Sequence, residues 1–75
     1  MTEEQFRREI CEARRLMGLR STFDRPEMVQ GLRNGLLRLL VDSDTTADRL
    51  ITVVAHLKEL DRREVLYLFN GASDE

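Results

Sequence analysis

The chain is predicted to be all-α, a compact three- or four-helix bundle that homodimerisation would complete. Three observations predict this. Apolar residues recur at spacings of three and four through most of the 75 residues, and no stretch alternates in the manner of a strand. One helix-start phrase also occurs twice: Phe23-Asp24-Arg25-Pro26-Glu27-Met28 and Leu60-Asp61-Arg62-Arg63-Glu64-Val65 both read apolar, Asp, Arg, any residue, Glu, apolar. In each copy the Asp side chain can accept from an unpaired backbone N–H, the Glu three residues on can reach back, and the flanking apolar pair can close a hydrophobic staple.

The first helix is expected over residues 3–18. Phe6, Ile10, Ala13 and Met17 form a narrow seam on one face, and Gly18 is suited to end it. The second helix, 24–41, starts at the Asp24 phrase and carries a broad apolar face of Met28, Val29, Leu32, Leu36, Leu39 and Leu40, as expected of a central helix packed on two neighbours. Asp42-Ser43-Asp44-Thr45-Thr46 reads as a short polar connection, with Thr45 and Asp48 repeating the capping logic more weakly.

A third helix follows over 46–59. Leu50, Val53, Val54, Leu57 and Leu60 are expected to face inward, with Arg49, Thr52, His56 and Glu59 mainly outward. Asp61 then starts a fourth helix, 62–69, either separate from the third or continuous with it through a kink. Its Val65, Leu66, Tyr67, Leu68 and Phe69 are apolar almost all round, so it calls for burial on every side, and Asn70-Gly71 is its expected stop. Residues 1–71 make one domain, and the acidic tail 72–75 is expected to be disordered. The twin phrases do not make a repeat: the segments diverge outside six positions, and shared capping chemistry accounts for the likeness.

So short a chain buries little surface, and its reinforcements are limited. One cysteine excludes an intramolecular disulfide, and no His/Cys cluster offers zinc ligands. Self-association or a partner protein is what remains. No apolar run approaches the roughly 20 residues of a membrane span, and the start Met-Thr-Glu-Glu is acidic and unlike a signal, so the expected setting is cytoplasmic, away from membranes.

The net charge of −2 hides an asymmetry: residues 1–38 carry eight arginines against six acids, and residues 39–75 four basic residues against eight acids. Lys58 is the only lysine, a bias that suits GC-rich coding and hence a small accessory protein of a GC-rich bacterium, its phage or its plasmid. The basic cluster centres on Cys11, with Arg7, Arg8, Arg14 and Arg15 at the i−4, i−3, i+3 and i+4 positions that neighbour it on a helix. Such charge favours a thiolate, so Cys11 is a candidate reactive or dimer-linking thiol. Pairs such as Glu4–Arg8 and Arg8–Glu12 would instead make this an ordinary solvated face. The same arginines are candidates for gripping phosphates or an acidic protein surface.

Gly31 and Gly35 lie four apart at the edge of the second helix's apolar face, each costing about 1 kcal/mol relative to Ala. Close approach of another helix, from the same chain or a second subunit, would repay that cost; a break at Asn34-Gly35 is the alternative. Catalysis finds no support, because His56 is the only histidine and stands at no metal-ligand spacing. The expected protein is therefore non-enzymatic, needs no cofactor, metal or small-molecule substrate, and binds another protein or itself. Arg7, Arg8, Arg14, Arg15, Leu66, Tyr67 and Phe69 are its candidate partner-binding residues, and Gly31 and Gly35 its helix-packing or dimer residues. A nucleic-acid-binding regulator using the arginine face is the alternative, opposed by the overall acidity and by Asp44 and Asp48 at the start of any recognition helix.

Overall fold

In a computed structural model the described residues form four helices: α1 (Glu3–Met17), α2 (Arg20–Phe23), α3 (Pro26–Leu40) and α4 (Ala47–Ser73). The structure describes residues 1–42 and 44–73, with side chains as far as Asn70. The all-α expectation holds, and no strand occurs among the described residues. Helix α1 starts with a reciprocal cap. Thr2 Oγ1 accepts from the Gln5 N–H at 3.1 Å, and the Thr2 N–H donates to Gln5 Oε1 at 3.0 Å, satisfying two of the donors a helix start leaves open.

The two copies of the start phrase behave differently, and neither uses its Asp as a cap. In the first copy, proline forces the residue before it into extended backbone, so Arg25 (φ −125°, ψ 113°) becomes the cap position and Pro26 the first helical residue. Asp24 is left free and its carboxylate accepts from the Tyr67 hydroxyl instead. Ahead of it, residues 20–23 make the single turn α2, too short to leave a periodic signature.

In the second copy nothing interrupts the helix. Residues 60–64 include neither Gly nor Pro, so α4 runs straight through Asp61, and the expected third and fourth helices are one helix of 27 residues. Ion pairs span the junction: Glu59 accepts from Arg62 Nη2 at 2.8 Å and from Arg63, and Arg33 of α3 bridges Asp61 and Glu64. Asn70-Gly71 does not end α4 either. Ala72 and Ser73, expected in the disordered tail, belong to its last turn, while Asp74 and Glu75 lie outside the described residues, as does Ser43 of the connection. Thr46, not Thr45, receives the Arg49 N–H at the start of α4, at 3.3 Å; Thr45 Oγ1 donates back to the Leu39 carbonyl at 2.7 Å and closes the end of α3.

The core is where α1, α3 and the first half of α4 meet. Phe6, Ile10, Ala13 and Met17 of α1 and Val29, Leu32, Leu36 and Leu39 of α3 are buried as their spacing requires, with Val53 and Leu60 from α4. Met28 stays exposed and Leu40 half-buried. On α4 the expected phase is rotated. Arg49, Thr52, His56 and Glu59 are half-buried, and Leu50 and Val54, expected inside, are exposed. Two overlapping stripes compete on this helix, and long polar side chains win the inner one because their tips find partners there. The Arg49 guanidinium lies 5.1 Å from the Phe6 ring centroid and donates to the Met1 carbonyl at 3.0 Å, and Arg63 donates to the Met17 carbonyl at 2.9 Å.

At 1.5 Å per residue α4 is about 40 Å long, nearly twice α1 or α3. The molecule is correspondingly elongated, 46 × 17 × 16 Å.

Candidate functional site

Among the described residues, this packing opens grooves that include the following three. The largest, about 990 Å³ and open, lies between α1 and α4, and it gathers Arg7, Cys11, Arg14 and Arg15 from α1 with His56 and Arg63 from α4. Arg8 is exposed outside it. Cys11 is exposed, as its place off the apolar seam requires. The positive charge is largely met by acids. Glu3 pairs with Arg7 at 3.6 Å and with Arg49 at 3.3 Å. Glu12 receives Arg15, and that hydrogen bond holds its carboxyl below the usual range. Glu59, hydrogen-bonded by Arg62 and Arg63, is lowered to about 2. His56 donates from Nδ1 to the Thr52 carbonyl at 2.7 Å, one helical turn back on its own helix. No group of three or more His, Cys, Asp or Glu is placed to hold a metal among the described residues.

The second groove, about 270 Å³, lies between α1 and α3. Ala13, Leu16, Met28 and Leu36 give it an apolar lining, and Glu9 and Glu27 stand at its edge. Gly31 and Gly35 open onto it. A Cβ at either glycine would meet nothing within 4 Å, which overturns the expectation that another helix of the same chain packs on them. The alternative fails as well, for α3 is unbroken from Pro26 to Leu40.

The third, also about 270 Å³, lies beside α2 and includes Phe23, Leu66 and Tyr67. Tyr67 is occupied within the chain. Its ring stacks on Phe23 with centroids 6.0 Å apart, the Arg20 guanidinium lies 5.7 Å from its centroid, and its hydroxyl donates to Asp24. That hydrogen bond, reinforced by desolvation, raises the phenol above its ordinary pKa. The three apolar anchors expected on the fourth helix therefore part company: Tyr67 is a joint between α2 and α4, Leu66 flanks the pocket, and Phe69 is 72% exposed elsewhere.

One surface escaped sequence reasoning. Leu50, Ile51, Val54, Val65, Leu68 and Phe69 of α4 all remain exposed, Ile51 at 68% and Leu68 at 64%. The signal was present as a three-four alternation, Ile51, Val54, Lys58, Asp61, Val65, Leu68, hidden by placing a helix start at Asp61. No helix among the described residues is long and apolar enough to cross a membrane. No protein-family model, curated protein or solved structure matches the chain, so these surfaces carry the functional argument.

Proposed function

We propose that this protein is a non-enzymatic interaction module, a small regulator, inhibitor or adaptor that acts by occupying another protein's surface. The balance of core and surface supports this reading: among the described residues eleven large hydrophobics stay exposed against ten residues in the buried apolar core. Scattered apolar side chains need no explanation, but here seven of the eleven share α4 between Leu50 and Phe69. The α1/α3 groove is the seat for a different protein. Its apolar floor and its edge of Glu9 and Glu27 fit an amphipathic helix with lysine or arginine beside its apolar face.

Gly35→Leu tests the groove without endangering the fold, because the space above Gly35 is open. The substitution is expected to stabilise α3 by roughly 1 kcal/mol through helix propensity, raising Tm, while filling the groove and abolishing partner capture from a lysate. Undiminished capture by a folded Gly35→Leu protein would refute the groove, and a wild-type chain that captures no protein would refute the module itself.

A nucleic-acid-binding regulator is the second reading, resting on Arg7 and Arg14 in the α1/α4 groove. Glu3 and Glu59 line that same groove and oppose phosphates, which ranks this reading below the first. The expected result is no mobility shift of duplex or single-stranded oligonucleotides at low salt.

A further inference from the structure

We propose that the outward face of α4 is a self-pairing seam, on which a second copy of this chain packs antiparallel about a two-fold axis level with Glu59 and Leu60. This face is separate from the α1/α3 groove, which α4 does not line. Ile51, Val54, Lys58, Asp61, Val65 and Leu68 follow one another at spacings of 3, 4, 3, 4 and 3, the alternation of a coiled-coil seam, and all six are exposed. The stripe lies on the side of α4 away from Val53 and Leu60, which face the core.

The stripe is also palindromic. Turned end for end about a point between residues 59 and 60, it sets Ile51 against Leu68 of the second copy, Val54 against Val65, and Lys58 against Asp61, with Leu50 meeting Phe69 on the flank. Every apolar residue meets an apolar residue, and the two central charges meet their opposites twice. These are the layers of an antiparallel helix pair, and the contact is isologous, as a two-fold dimer requires.

The charges select this arrangement over its rivals. A parallel, in-register pair would put Lys58 beside Lys58 and Asp61 beside Asp61, and an antiparallel pair shifted by one heptad would press Lys58 and Asp61 against Leu68 and Val65. The Asp61 carboxylate is held by Arg33 and Lys58 makes no ion pair among the described residues, so the lysine has a use for the second copy's carboxylate. From Leu50 to Phe69 the seam runs about 28 Å.

Light scattering on the full chain across a concentration series should give twice the 8.8 kDa chain mass. Lys58→Asp and Asp61→Lys, each alone, place like charges in the central layers and should weaken dimerisation at least about tenfold. An equimolar mixture of the two should be dimeric again, because each then faces its opposite; both sites are on the surface, and circular dichroism checks that the variants are folded. In a Cys11→Ser background, Ile51→Cys combined with Leu68→Cys should oxidise to a covalent dimer. Ile51→Cys alone should not, since the two copies of position 51 stand about 25 Å apart. A monomer at all concentrations, a dimer indifferent to the charge reversals, a mixture that stays monomeric, or ready cross-linking by Ile51→Cys alone would each overturn the proposal.

Discussion

Glu59 draws Arg62 and Arg63 onto one carboxylate, and the consequence is a defined acid limb in stability. Its pKa falls from 4.5 to about 2 in the folded chain, through hydrogen bonds from the two arginines. A depressed carboxyl contributes stability that is fully present above its unfolded pKa and is lost as pH falls through the folded one. Glu59→Gln is therefore expected to lower Tm at pH 7, and the gap to wild type should close between pH 4.5 and about 2. The drop should be small, since the network is at the surface and screened by solvent and salt. Tm measured against pH for both proteins checks this, and a gap constant to pH 2 would show the carboxylate's charge to be idle. Residue-scale roles like this were only partly legible. The i,i+3 and i,i+4 spacings of Glu59 with Arg62 and Arg63 are in the sequence, but the reach of Arg63 to the Met17 carbonyl, of Arg33 to Asp61 and Glu64, and of Tyr67 to Asp24 needs chain segments brought together from far apart.

Helix α4 is the element in which local and global signals diverged most. The phrase Leu60-Asp61-Arg62-Arg63-Glu64-Val65 is as good a helix start as its earlier copy, yet α4 passes through it. A cap residue must leave helical backbone, and only a breaker or a turn makes that worthwhile; Pro26 supplies one in the first copy and nothing does in the second. Arg62→Pro distinguishes the two situations. At the first position of a helix proline is tolerated, as Pro26 is, but within a continuous helix it should cost about 3 kcal/mol or more and visibly reduce helicity. Urea unfolding followed by circular dichroism reads both; a neutral substitution would mean that a helix does begin at residue 62. The long element also shapes the surface, because only an unbroken helix places Ile51, Val54, Val65 and Leu68 on one line.

At the scale of the molecule, a thin core coexists with a large open apolar surface. Leu36, 2% exposed on the central helix, sits among the side chains of all three main helices' shared core. Leu36→Ala is expected to cost 2–5 kcal/mol by the usual range for such truncations, roughly the core's whole contribution in a domain this small, and so to leave the chain largely unfolded at 37 °C. A urea midpoint at 25 °C close to that of wild type would show that the core is not where the stability lies. A dimer along α4 would raise the resistance of every core variant with protein concentration, since association adds to the apparent stability of the folded state.

From the sequence alone came the all-α class, the inward seams of α1 and α3, and the exposure of Cys11, because each depends on spacing within one helix and on the nearest turn. Tertiary packing alone decided which of the two stripes on α4 turns inward and whether Gly31 and Gly35 are covered. Those outcomes depend on neighbours distant in sequence. Val53 and Leu60 are drawn to the α1/α3 core, Arg49 and Arg63 find carbonyls at the two ends of α1, and the apolar stripe left over is thereby turned to the outside. Periodicity marks both stripes as apolar or amphipathic, but only the packed molecule determines which is used within the chain and which stays open.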